Sequence, residues 1–377
     1  MRIGVNGYAK ILPDGRALVI GVATLEFGLT YPEAYCIVPI VVAMGTDFLR
    51  HDRVVSTIRK GGRVAKKLGL IGVPSSMGAF APGQEKGPEA LRQADLLGRL
   101  SRAGVEVVDH EDGGGVRRWR PDKGNRRAQN LPAVVEVVRE TAGRVGEAHT
   151  AGHLPLVVGG DCTIELGTVA GLLPPEGLGG RLGLIYFDVH PDLNVPASVG
   201  EGALDWMGMA HMLGEEEAAE LLSHFGPRFP LLGDEDVFLF SYGPEQATEH
   251  ERSAIGRRGL KGTPVEDVAP DPEGAAARAL EEMESRFDLL LVHFDVDTVD
   301  FTDLPLSENP GRNEGLPFDS AVRALGTLLR SDRLAAVTVT EFNPYHGDED
   351  GSTAEALADG LATALLGSPT LVSWTIY

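Results

Sequence analysis

The 377-residue sequence predicts an α/β fold of three layers, α/β/α, with helices on both faces of a mainly parallel sheet. Three observations predict it. Six short apolar runs recur along the chain, continuous rather than alternating, as strands buried on both faces require. Amphipathic stretches of helical length separate them, which is what crossovers between parallel strands need. Acidic and metal-ligating side chains collect just past the carboxyl ends of four runs, where ligands bind in such sheets.

Taken in chain order, residues 1–67 stand apart. They carry ten Lys or Arg against five Asp or Glu, a balance of +5, which leaves −26 for the remainder of a chain whose net charge is −21. Apolar patches at Leu18 to Ala23 and Ile37 to Val42 are strand-like, but no helix-strand rhythm follows. This segment reads as a peripheral N-terminal extension; Met44 is an alternative start, on which reading the extension begins later. Residues 68–377 form the main domain. Its strands are LGLIGV (Leu68 to Val73), LPLVVGG (Leu154 to Gly160), RLGLIYFD (Arg181 to Asp188), DVFLFSY (Asp236 to Tyr242), DLLLVHFD (Asp288 to Asp295) and LAAVTVTE (Leu334 to Glu341). Helical segments are Pro88 to Arg102, Leu131 to His149, Glu273 to Arg286, Phe318 to Leu329 and Thr353 to Leu366, and a Gly- and Arg-rich loop runs from Glu111 to Gln129.

Composition excludes several function classes. A net charge of −21 opposes general binding to nucleic acid or an anionic membrane, both of which need a basic surface. Cys36 and Cys162 are the only cysteines, so no disulfide framework is implied and a reducing cytoplasm is the default location. The longest apolar run, Ile37 to Met44, contains Pro39 and is too short to cross a bilayer; the opening Met1 to Gly7 lacks a signal-peptide pattern.

The chemistry lies at the strand ends. In IYFDVHPDLN (Ile185 to Asn194), Asp188, His190 and Asp192 occupy alternate positions and point one way if the chain stays extended. A hydrophobic core rejects such a set, and a metal ion wants it. GGDC (Gly159 to Cys162), DVD (Asp295 to Asp297) and TEFNP (Thr340 to Pro344) end three other runs. Asp188, Asp192, Asp295 and Asp297 crowded together repel one another unless cations compensate. Two divalent ions account for their number, and a two-metal centre acidifies a bound water, so hydrolysis is the reaction class. Carboxylates with one imidazole suit manganese better than a structural zinc site.

GGDCT at Gly159, DVHPDLN at Asp188, HFDVDTVD at His293 and TEFNP at Thr340 resemble, in order and spacing, the four signatures of the ureohydrolase family, which includes arginase, agmatinase and formiminoglutamase. IGVPSSMGAFAPGQEKGPEALR (Ile71 to Arg92) resembles the family's opening strand and loop, so the likeness runs from Leu68 to the C-terminus. The resemblance implies an arginase-like fold, two Mn2+ ions, a small guanidino substrate and a homo-oligomer, trimer or hexamer. By residue, it implies one ion on Cys162, Asp188 and Asp192 and a second on His190 and Asp297, with Asp188 and Asp295 serving both. Glu341 matches a glutamate that pairs with the substrate guanidinium, and Asn194 sits where a substrate-side polar residue is found.

The departures concern substrate more than hydrolysis. Cys162 stands where the family usually has histidine; as a thiolate it is a softer ligand favouring Co2+, Fe2+ or Zn2+, and otherwise it is a small buried cysteine. Asp205, in EGALDWM (Glu201 to Met207), stands where an acid-base histidine is expected. It needs a raised pKa to donate a proton near neutral pH; alternatively it caps the helix that follows, or joins Glu201 in holding a cationic substrate tail. Ala203 and Gly243 replace groups that read the amino-acid end of arginine, which points to a guanidino compound other than plain L-arginine, such as N-hydroxyarginine or an agmatine-like amine. The expected machinery is therefore Asp192, Asp205 and Glu341 for catalysis, with Asn194, Glu201 and Glu341 toward substrate. His293, inside an apolar strand, reads as a satisfied core histidine or as a group that orients a ligand; His211 reads as a helix-surface residue. The alternative function is a non-catalytic relative that keeps the sheet and a metal as a binding or regulatory subunit.

Overall fold

The computed structural model describes residues 65–173, 180–308 and 314–372, together with the backbone of three strands nearer the N-terminus. The chain divides into two compact units, Met1–Gly62 and Arg63–Tyr377. In the first, β1 (Ile3–Ile11), β2 (Ala17–Leu25) and β3 (Ile37–Met44) form an antiparallel meander in that order. The apolar patches of the sequence fall in β2 and β3; β1 carries Gly4, Asn6 and Gly7, which break its apolar pattern. Pro39 lies in β3, at an edge of this sheet, where a missing N–H is tolerated.

The second unit is built on one eight-stranded sheet, parallel throughout where the sequence predicts a mainly parallel one. Its strands are β4 (Leu68–Val73), β5 (Val107–Asp112), β6 (Leu154–Gly159), β7 (Leu182–Phe187), β8 (Val237–Tyr242), β9 (Lys261–Pro264), β10 (Leu289–Asp295) and β11 (Leu334–Thr340). Their spatial order is β5-β4-β6-β11-β10-β7-β8-β9. The six expected strands are the inner six. The two that sequence reading missed, β5 (VVDHED) and β9 (KGTP), are the edges, half exposed and too polar to give an apolar run.

Side chains alternate between two cores. Leu70, Leu156, Phe187, Phe294 and Val339 pack on one face in a cluster that includes residues of the helices Pro272–Glu284, Phe318–Leu328 and Ser352–Leu366. Ile71, Val157, Tyr186, Leu239 and Leu291 pack on the other, with residues of Leu131–Thr150 and Ile164–Leu172. The last of these helices, IELGTVAGL, is buried nearly all round and so carries no amphipathic signal. The expected helix from Pro88 to Arg102 is two, Gly87–Gln93 and Leu96–Arg102, divided at Asp95, whose φ of 60° is left-handed. Among the described residues no helix is long and apolar enough to cross a membrane.

Candidate metal centre

Strand order and register assemble the site. The four motif-bearing strands, β6, β11, β10 and β7, are consecutive at the middle of the sheet. Phe187 is level with Phe294, so Asp188 emerges beside Asp295; Asp295 is level with Thr340, and Glu341 donates its N–H to the carbonyl of Gly160 at 2.9 Å. Four acidic tips thus leave the sheet along one edge. Close approach there demands glycine: a Cβ on Gly160 would meet the carbonyl oxygen of Ser75 at 2.0 Å. Asp192 and Glu341 have left-handed φ values of 51° and 62°, which turn both carboxylates inward at a backbone cost.

Two ligand clusters share Asp188. The ligand atoms of Asp188, His190 and Asp297 lie within 4.8 Å of one another, as do those of Cys162, Asp188, His293 and Asp295. His190 Nδ1 is 2.7 Å from Asp297 Oδ2, and the Cys162 Sγ–H donates to Asp295 Oδ2 at 2.8 Å. Backbone N–H groups order the carboxylates, from His190 to Asp188 Oδ1 at 2.5 Å and from Asp297 to Asp295 Oδ1 at 2.7 Å. Asp188 Oδ2, by contrast, is buried with no hydrogen-bond partner among the described residues.

Electrostatics mark the same place. Burial first, then the charges of Asp297 and Asp295, hold the Asp188 carboxyl well above the usual range. Burial and Asp297 do the same to Asp295, and burial raises Asp192. Burial works against the His190 imidazolium, but Asp297 beside it carries the group up to about 9. Burial and Asp295 push the Cys162 thiol up. Such a cluster holds protons in place of cations, and divalent ions invert that preference by releasing them. An orphaned carboxylate oxygen amid buried oxygen, nitrogen and sulfur donors fits a pair of such ions.

A small cleft of about 110 Å³ opens above these residues. Cys162, His190, Asp192, Asp205, Asp295, Asp297 and Glu341 all line it. Glu341 faces the ligand tips with both oxygens fixed, Oε1 accepting from the Cys162 N–H and Oε2 from Gln84 Nε2, each at 3.0 Å. Burial, then the charge of Asp161, raises its pKa. Asp205 is raised by burial and by Glu341, and its Oδ1 accepts from the Trp206 N–H at 3.0 Å within a short 3-10 turn. Asp192 belongs to neither ligand cluster, and its Oδ2 accepts the Tyr186 hydroxyl at 2.5 Å.

Asn194 and Glu201 lie elsewhere. Asn194 Oδ1 accepts hydroxyls from Ser198 and Thr248, both at 2.9 Å, and so ties down the loop after Asp192. Glu201 is exposed, and neither residue lines the cleft. His211 is not a surface residue: it is fully buried, because the turn of the helix Gly208–Met212 points it into the core, and burial lowers its pKa to about 4. Sequence reading missed Gln84, Glu308, Phe80 and Trp206. The last two stack at 5.8 Å between centroids as a wall of the cleft, and Glu308 accepts from His346 Nε2 at 3.0 Å. Gln84 and Trp206 sit in single 3-10 turns and Phe80 and Glu308 in loops, too short for any periodicity to mark direction.

Fold and site together define an α/β metal-site protein of the kind that the strand-end motifs suggested. The arginase family model matches residues 66–367, and the chain belongs to that family. It is similar to the arginase of Bacillus caldovelox, with 31% identity over 309 residues, covering 80% of this chain and 97% of that one. The solved structure of that arginase superposes with a TM-score of 0.70 at 27% identity, covering 80% of this chain and 98% of the other. A formiminoglutamase from Trypanosoma cruzi shares the fold, with a TM-score of 0.60 at 18% identity, covering 80% and 93%. The chain is therefore a relative of metal-dependent hydrolases of small guanidino compounds.

Proposed function

We propose that this protein is a binuclear metal-dependent amidinohydrolase, which cleaves a carbon-nitrogen bond of a small guanidino or amidino compound other than plain L-arginine. One observation carries the reading: two ligand clusters joined at Asp188 face the fixed carboxylate of Glu341 across a single cleft. Cys162, Asp188, His190, Asp295 and Asp297 would hold two divalent ions, with Asp192 lining the cleft beside them. When bound, these ions keep the carboxylates ionised and acidify the attacking water.

The chain's own groups do the rest. Glu341, fixed by the Cys162 N–H and by Gln84, accepts hydrogen bonds from the guanidinium and orients its carbon toward the ligand tips. Asp205, held protonated by burial and by Glu341, donates a proton to the leaving amine nitrogen. Phe80 and Trp206 narrow the entrance and limit water. Asp192, anchored by Tyr186, keeps a carboxylate on the reacting side of the cleft. Substrate binding rests on Glu341; Asn194 and Glu201, outside the lining, make no contact with the guanidino carbon. In this reading the substrate's far end is neutral or cationic, because Glu308 lines its path.

The test is a urea-release screen of guanidino compounds with protein loaded with manganese, cobalt or zinc, run beside Asp188→Ala. Turnover in the wild type that is lost in the variant is expected. One ion or none per chain, with no turnover of any guanidine, would support a binding subunit instead. Assembly as a trimer or hexamer belongs to the same proposal and is checked by sedimentation.

A further inference from the structure

We infer that His293, oriented by Glu165, is a direct ligand of one of the two ions, so that the centre is asymmetric: one softer position of sulfur, nitrogen and carboxylate donors beside one harder position. The inference rests on the binuclear reading above and adds a residue, a supporting dyad and a metal preference to it.

His293 lies in the buried strand β10, two residues before Asp295, and is fully buried. Its Nε2 is 3.6 Å from Cys162 Sγ and 3.3 Å from Thr340 Oγ1, and the ring contributes a ligand atom to the cluster with Cys162, Asp188 and Asp295. Its other nitrogen, Nδ1, is 3.2 Å from Glu165 Oε2. The tautomer is thereby set: Nδ1–H donates to the carboxylate, and the Nε2 lone pair faces the cluster. A carboxylate behind a ligating imidazole fixes the ring and makes it a better donor.

Glu165 otherwise has no reason to be where it is. It is a fully buried acid on the apolar helix Ile164–Leu172, and its Oε1 has no hydrogen-bond partner among the described residues. Leaving a carboxylate there costs free energy unless it serves a charged neighbour. Tyr186 completes the arrangement. Its ring stacks flat on His293, 4.2 Å between centroids and 3° between planes, and its hydroxyl occupies Asp192 Oδ2. One tyrosine thus holds the imidazole beside the cluster and restrains the carboxylate that lies outside it.

The donor set decides the metal. A thiolate and an imidazole with two carboxylates prefer Zn2+, Co2+ or Fe2+, whereas Asp188, His190 and Asp297 alone suit a harder ion such as Mn2+. The softer position therefore retains Zn2+ or Co2+ while the other exchanges to Mn2+.

The experiment uses the full chain loaded with Co2+ or Zn2+ and reads metal content after dialysis, the near-ultraviolet sulfur-to-cobalt band, and imidazole scattering in X-ray absorption. Wild type is expected to hold two ions, show the band, and give one imidazole per ion on average. His293→Gln should retain one ion that keeps one imidazole, or two ions averaging half an imidazole each, and Cys162→Ser should lose the band. Glu165→Gln, which touches no ion, guards against a folding failure: it should keep the fold by circular dichroism and bind one ion about 10- to 100-fold more weakly. His293→Gln with two ions and an unchanged imidazole signal overturns the inference, as does unaltered affinity in Glu165→Gln. A protein that binds metal as described but hydrolyses no guanidino compound refutes the functional proposal and leaves this ligand assignment standing.

Discussion

Replacing Asp188 with asparagine should stabilise the metal-free protein while removing its response to divalent metal. Asp188 has a ligand oxygen within 4.8 Å of one on Asp295 in one cluster and one on Asp297 in the other. At that spacing two ionised carboxylates repel by about 3.5 kcal/mol at an effective dielectric of about 20. The chain can avoid the repulsion by protonating Asp188, but for a carboxyl of ordinary pKa 3.8 this costs about 4 kcal/mol at pH 7. Either way the folded state without metal carries a penalty of roughly 3 to 4 kcal/mol that the unfolded chain escapes. The amide of Asp188→Asn removes the charge and still offers an acceptor to the His190 N–H. Scanning calorimetry at pH 7 with chelator should therefore show the variant melting roughly 5 to 10 °C above wild type. On metal addition the ranking should reverse, because at a hundredfold excess over Kd each bound ion contributes about 2.7 kcal/mol to wild type and little to the variant. A metal-free variant that melts below wild type would refute the reasoning, since it would mean that these carboxylates are not in conflict.

Other outcomes follow from the same geometry. Glu341→Gln should leave metal content unchanged and lower kcat/KM on the best guanidino substrate by about a hundredfold or more, the scale of removing one partner of a buried ion pair, as read by urea release. Asp205→Asn should lower kcat by about 10²- to 10⁴-fold and remove the alkaline limb of the pH profile, because that limb is the loss of the acid's proton; a variant that keeps the wild-type alkaline limb would exclude the role. His211 gives a stability prediction independent of metal. Its pKa falls from 6.5 to about 4 on folding, so the folded state binds fewer protons; its contribution is complete above pH 6.5 and is lost as pH falls toward 4. Urea denaturation should show a loss of about 3 kcal/mol across that window, diminished in His211→Gln.

The inner strands and their polar tips were legible in the sequence because burial on both faces writes a continuous apolar run, and a ligand site interrupts it abruptly. Asp188, His190, Asp295, Asp297 and Glu341 could be singled out that way. The edge strands β5 and β9 were not, because half-exposed strands carry no such run. His211 was misread because a single polar residue on a short helix does not reveal which way the helix faces.

What the sequence determined by itself was the sheet, its covered faces and the set of residues able to bind cations, since periodicity and residue chemistry are local properties. Only the tertiary structure decided that β6, β11, β10 and β7 are neighbours, that their register levels the acidic tips, and that Glu165 from a helix meets His293 from a strand 128 residues away. Those are relations between segments distant in the chain, fixed by which surfaces pack together, and no stretch of sequence carries them alone.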